Sequence, residues 1–318
     1  LWFDKNIFNK RTGRMRPILI SASPGFKIAY LFLFLLIGVF FAGLFAGLIL
    51  MIPVIKDYGE ISGIYVDTIM QSIFAIGLPA YLIVAWTNNK PVQYLRVADN
   101  VKQSYNIPFA ILAFIFSYLF ASFLVQLNKG MVLPESMKGI EEFMRMMEDA
   151  ALETTNLILS RKSLSALFLN IIVIAGFAAI SEELFFRGAL QQFIQEKFKN
   201  GHIAVWLTAL VFSIIHFQFY GFLPRLFLGA ILGYLFIYTK NLYVPIIFHF
   251  LNNATVILIN FFWGDAEWYK NIENISITPQ FVVLAIFSLV LTIALFWIYN
   301  RLISKNNNND TNSRYNNI

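Results

Sequence analysis

The chain has no cysteine among its 318 residues. That excludes disulfides, thiolate nucleophiles and any cysteine-ligated zinc. Charge is scarce too: Asp, Glu, Lys and Arg make up 13% of residues, against roughly 25% in a soluble domain. Histidine occurs only 3 times, so each one weighs in a search for chemistry. No strands of alternating apolar and polar residues occur, which excludes a membrane β-barrel. No internal repeat is visible, which leaves an inverted-repeat transporter without support. No basic recognition helix is present, so the net charge of +6 does not call for nucleic acid as a partner.

Apolar side chains fill the space that charge leaves. They reach 58% of the chain, with 17% aromatic residues and a mean hydropathy of +0.65. Several runs approach the roughly 20 apolar residues that cross about 30 Å of hydrocarbon. The expected fold is an all-α, polytopic transmembrane helical bundle of about eight spans. They fall near 28–54, 66–87, 107–127, 163–190, 203–220, 225–239, 242–263 and 280–302. The sixth is the shortest. The first begins near Ala29, too long a run for a signal peptide, and follows a basic segment.

The segmentation that follows is a basic N-terminal segment (1–27), three spans (28–127), an external loop (128–162), a polar-bearing core (163–263), a last loop and span (264–302), and a polar, Asn-rich tail (303–318) expected to be disordered. In the external loop Met137, Ile140, Met144 and Met147 recur at helical spacing against Glu141, Glu142, Glu148 and Asp149. This reads as an amphipathic helix on the surface or capping the bundle. With eight spans both termini share a side. That side holds fifteen Lys and Arg and the other eight, so the positive-inside rule places both termini in the cytoplasm.

Polar residues inside the apolar runs are the candidates for function, because each ionised group at membrane depth costs roughly 2.5–3.5 kcal/mol on insertion scales. Glu182 and Glu183 stand side by side in the fourth span. Arg187 follows Glu183 by four residues, so the two share a helix face and can pair. Glu182 points about 100° away from that face and suits a general base. His216 follows Phe212 by one turn. The fourth and fifth spans turn near Asn200 and Gly201, which puts Glu182 and His216 at similar depth. In the seventh span Asn253 follows His249 by one turn, and both side chains can donate to a developing oxyanion. Gly229 and Gly233 form a G-x-x-x-G in the sixth span, read as close helix packing.

Taken in order, E-E-x-x-x-R (Glu182, Glu183, Arg187), F-x-x-x-H (Phe212, His216) and H-x-x-x-N (His249, Asn253) resemble the CPBP family of intramembrane proteases, also called the type II CAAX prenyl endopeptidase or Abi family. The resemblance covers roughly Ser163 to Phe262. It implies an eight-helix bundle, a site opening toward the cytoplasmic side, and hydrolysis of peptide bonds. The implied setting is a bacterial cell (inner) membrane, and the implied partner is a hydrophobic or lipidated peptide or protein substrate within the bilayer.

Under that resemblance Glu182, helped by His216, would activate a water, His249 and Asn253 would stabilise the oxyanion, and Glu183, Arg187 and Phe212 would support them. A zinc alternative would use Glu182, His216 and His249 as ligands. The compact H-E-x-x-H signature is absent, so the metal-free glutamate mechanism is favoured and no cofactor is expected. Serine chemistry finds no G-x-S-x-G elbow around Ser213. A non-catalytic Abi-type immunity or scaffold protein is the alternative function. A complete set of motif residues favours catalysis over it.

Overall fold

In the computed structural model the described residues are 17–53, 59–97, 105–269 and 276–315. They are helical throughout, without a strand. Ten helices follow one another: α1 (Pro24–Leu50), α2 (Glu60–Thr87), the short α3 (Pro91–Tyr94), α4 (Asn106–Lys129), α5 (Lys138–Leu159), α6 (Leu164–Phe198), α7 (Gly201–Ile214), α8 (Phe222–Thr239), α9 (Tyr243–Trp263) and α10 (Pro279–Tyr315). Seven of these, all but α3, α5 and α7, are long and apolar enough to cross a membrane. The all-α polytopic bundle expected from composition is therefore what the chain forms. Its outward faces stay apolar, as at Leu36 and Phe40 of α1 and Val283 and Phe287 of α10, where hydrocarbon replaces water as the solvent.

Start and stop signals set the helix boundaries. Ser23 caps α1 by accepting from the Phe26 N–H at 3.3 Å, with Pro24 in the first turn where its missing N–H costs nothing. Asn200 accepts from the N–H groups of His202 and Ile203 at 2.8 and 3.1 Å and so opens α7. Lys199 and Lys240, in left-handed conformation, close α6 and α8. α10 continues past its membrane-length part, which ends at Ser304, to Tyr315, over residues for which sequence suggested a disordered tail.

The bonds between helix ends define the topology. Leu19 N–H donates to the Trp86 carbonyl, so the start of α1 and the end of α2 are neighbours. Lys27 pairs with Glu196 at 2.7 Å, bringing in the end of α6. Leu242 N–H donates to the Arg96 carbonyl, and the Tyr299 hydroxyl donates to Asn106 in α4. One end of the bundle therefore gathers Lys27, Arg96, Lys199 and Lys240, and we call it the basic end. Both α1 and α10 have their outer termini there.

The short helix is α7, not α8. α8 has 18 residues, whereas α7 has 14 and rises about 21 Å at 1.5 Å per residue. α7 and α8 form a hairpin that leaves and returns at the basic end, where Gly201 lies against Ile237. Residues 203–220, expected as one continuous span, instead form a helix to Ile214 followed by a turn.

The loop helix α5 lies at the opposite end. It is amphipathic, but its inward face carries Met144, Met147 and Ile158, while Met137 and Ile140 are exposed. Its Glu141 accepts from Arg145, and that bond holds the Glu141 carboxyl below the ordinary carboxylate range.

Candidate active site

Glu182 and Glu183 lie in the middle of α6, between two wide π-type segments, Asn170–Phe177 and Leu184–Gln191. Such segments shift side chains around the axis and recur at functional sites. Glu183 and Arg187 are both 0% exposed and pair at 2.6 Å. A buried pair is tolerated only when geometry and further hydrogen bonds offset desolvation. Here Glu183 Oε1 also accepts from His249 Nδ1 at 2.8 Å, and Arg187 Nη2 donates to the Gly229 carbonyl at 3.0 Å. Arg187 further lies over the Phe212 ring, 5.0 Å from its centroid.

The Arg187 anchor repeats one turn on. Gln191 Nε2 donates to the Gly233 carbonyl at 3.1 Å. An R-x-x-x-Q row on α6 thus reads the carbonyls of the G-x-x-x-G row on α8. The glycines permit this by close approach. A Cβ at Gly229 would stand 3.2 Å from the Ala209 Cβ, and one at Gly233 would stand 3.0 Å from Val205 Cγ1. The motif read as packing therefore also positions Arg187. Sequence reasoning passed over Gln191. The matching four-residue spacings of Arg187–Gln191 and Gly229–Gly233 were the signal that could have revealed it.

His249 bridges the two glutamates. With Nδ1 donating to Glu183, its Nε2 faces Glu182 Oε2 at 3.8 Å. That separation is too long for a direct hydrogen bond and suits a bridging molecule. Glu182 differs from Glu183 as the helix geometry requires: its side chain keeps 18% exposure and, among the described residues, contacts no guanidinium within ion-pair distance.

His216 is not inside a helix. α7 ends at Ile214, and Phe217 takes a left-handed backbone, φ 52°, that breaks the helical run. His216 sits in the resulting turn with Nδ1 donating to the Phe212 carbonyl at 2.6 Å, so Nε2 is its ligand-facing atom in the neutral ring. Its ring is 4.8 Å from that of Phe212, and the His249 ring is 6.0 Å from the same phenyl group. Phe212 thus separates and orients both imidazoles. Among the described residues the imidazole within 4 Å of Glu182 is that of His249, and His216 makes no ion pair with Glu182. Asn253, half-buried one turn beyond His249, accepts on Oδ1 from Asn252 at 3.3 Å, which leaves its amide nitrogen to donate. A cleft of about 160 Å³ between α4, α8 and α9 reaches Asn252, lined also by Phe114, Tyr118, Pro224 and Leu228.

The zinc alternative needs three ligands around one point. Among the described residues no group of three His, Asp or Glu side chains has that arrangement.

Phe185, Phe186, Leu190 and Phe193 form part of a buried apolar layer on α6, on the stretch that leads from Glu183 toward the basic end. The polar segment on the other side is the 215–221 turn, whose Tyr220 N–H donates to Glu148 of α5 at 3.2 Å. The structure therefore sets the α7–α8 turn and α5 beside the site.

Residues 164–255 match the family model for the Type II CAAX prenyl endopeptidase, Rce1-like. Over 89 residues the chain is 32% identical to the uncharacterized protein YpbD of Bacillus subtilis (strain 168), a stretch that is 27% of this chain and 42% of that relative. The chain thus matches less than half the length of that relative. No solved structure matches it.

Proposed function

We propose that this chain, which carries an Rce1-like domain over residues 164–255, is an intramembrane endopeptidase that uses a glutamate-activated water. The carrying observation is the Glu182–His249–Glu183–Arg187 row, a half-open carboxylate beside an imidazole that a buried ion pair holds in place. Intramembrane ionisable groups are kept where they pair or work, and Glu182 is the member of the row without a close charged partner.

In the proposed reaction Glu182 takes a proton from water as the oxygen attacks the substrate carbonyl carbon. The resulting oxyanion accepts hydrogen bonds from the Asn253 amide and from His249 Nε2, a role that requires a proton on that nitrogen. The C–N bond then breaks, and the proton held by Glu182 passes to the leaving amine. His216 Nε2 assists at the water. Glu183 and Arg187 do not touch substrate; they position His249. Phe212 keeps the two imidazoles apart. The substrate is a hydrophobic or lipidated peptide reached within the bilayer, and the apolar cleft beside Asn252 suits such a chain.

The test compares the termini of membrane proteins and peptides in cells carrying the wild type or Glu182→Gln. New N- and C-termini present only with the wild type are expected. Identical sets of termini would remove the protease reading.

A further inference from the structure

α8 turns Gly229 and Gly233 toward α6 and α7, so its bulky aromatic residues stand on the opposite side. There α7 packs mainly on α8, and α10 packs mainly on α4. Between these two pairs the bundle opens into a groove of about 540 Å³, within the roughly 300–1,000 Å³ of small-ligand sites. Aromatic rings reach across it: Phe296 of α10 stands 6.4 and 6.0 Å from Tyr234 and Tyr238 of α8, between centroids. Trp206, Ile293 and Trp297 on its walls are exposed.

The groove is sorted along its length. Phe120, Phe227 and Leu289 line its inner part, and His202, Tyr238 and Asn300 line its mouth. The mouth lies at the basic end, where His202 opens α7 and Tyr238 closes α8. His202 Nδ1 and the Tyr234 hydroxyl share a hydrogen bond there at 2.9 Å. The lining stretches 227–238 and 289–300 each rise about 16 Å at 1.5 Å per residue. Half of the roughly 30 Å hydrocarbon layer is about 15 Å, so the groove is one leaflet deep.

The mouth also carries charge. The Arg301 guanidinium stands 3.8 Å from the centroid of the Trp297 ring, which lines the groove. Among the described residues no carboxylate comes within ion-pair distance of Arg301. Exposed Lys240 follows Tyr238 at the end of α8. Cations at this level attract anionic headgroups, whereas a zwitterionic headgroup brings its own cation to the same place.

We propose that this groove binds one anionic phospholipid of the leaflet at the basic end. An acyl chain lies along the aromatic wall, and Arg301 holds the phosphate through its planar fork. Apolar length, polar mouth and cation follow one another along a single cavity, in the order in which a lipid presents its own parts. The site is on the side of α8 away from the glycine carbonyls that anchor Arg187 and Gln191, so it does not rest on the protease reading.

The experiment is native mass spectrometry of the purified full-length protein, titrated with phosphatidylglycerol or phosphatidylcholine of identical acyl chains. The first phosphatidylglycerol should bind with a Kd about tenfold or more below that of the first phosphatidylcholine, the size of one charged hydrogen-bonded contact. Arg301→Gln should abolish that preference, and Arg301→Lys should restore part of it. Lys90→Gln removes a charge at the same end outside the groove and should leave the preference unchanged. Ile293→Trp fills the groove from an exposed position and should weaken the first binding event for both lipids. All four variants should keep the wild-type melting temperature.

Equal Kd values for the two lipids would overturn the proposal. So would a preference that survives Arg301→Gln, or one that Lys90→Gln removes equally, because the attraction would then belong to the basic end as a whole. First-lipid binding unchanged by Ile293→Trp would overturn it by placing the lipid outside the groove. A dimer that retains no lipid would overturn it by giving the groove to a second copy of the chain.

Discussion

Two adjacent carboxylates receive different environments from a single step of the helix. Glu183 is sealed, sharing one oxygen between Arg187 and His249, whereas Glu182 keeps contact with the site's open side. Glu183→Gln leaves Arg187 charged and unpaired in a closed interior. It should lower stability by about 3–5 kcal/mol, the cost of breaking a buried pair from one side, read as a fall in melting temperature in lipid. His249→Ala should lower kcat more than it raises KM, because an oxyanion contact strengthens in the transition state. Equal loss in both constants would move His249 from chemistry to binding. The pairing of Glu183 with Arg187 was legible from i, i+4 spacing alone. That His249 reaches the same carboxylate was not, since spacing within α9 carries no information about its rotation against α6. Metal content is tested at this scale too. Purified wild-type protein is expected to carry zinc well below one ion per chain and to resist chelators. One zinc per chain, lost in His249→Ala, would contradict the metal-free mechanism.

At the scale of elements, the site is held by close packing of α6, α7 and α8. Gly233 faces Val205 and Gln191 with no room for a side chain. Gly233→Leu should force α7 and α8 apart and displace Gln191, at a cost of about 1–3 kcal/mol for overpacking. Cleavage should fall with it, and a wild-type melting temperature in that variant would show that the contact yields freely. The apolar runs showed the long helices without difficulty. They misplaced the break after Ile214, because Phe217 and Phe219 continue the hydrophobic pattern while the backbone turns at Phe217. Hydropathy reports what surrounds a residue, and a turn enclosed by protein and apolar side chains looks like a span. The amphipathic pattern of α5 was visible, but Met137 and Ile140 in that pattern proved exposed. Helical spacing gives a stripe, and only the neighbouring helices decide which part of it is covered.

For the whole molecule, the contacts between helix ends make the sidedness of the termini independent of how deep α7 runs. Because α7 and α8 start and finish at the basic end, both together cross the bilayer or neither does. Single cysteines at Lys90 and Ser304 should therefore share one side and Asp149 the other. An impermeant thiol reagent added from outside intact cells should label the Asp149 position alone. The absence of native cysteine makes this clean. Labelling at Ser304 from outside would refute the shared side or its cytoplasmic assignment. That assignment rests on the excess of Lys and Arg on the side of the termini, fifteen against eight in the sequence, of which Lys27, Arg96, Lys199 and Lys240 gather at one end of the fold.

The central claim is that Glu182 activates the water. It is tested most directly by the rate at which purified Glu182→Gln cleaves a substrate confirmed for the wild type, measured beside the melting temperatures of both proteins. The change keeps the shape of the side chain and removes the base, so the rate should fall by about 10²–10⁴-fold, the usual contribution of general base catalysis, with the melting temperature unchanged or raised. A Glu182→Gln protein that cleaves at the wild-type rate would contradict the account.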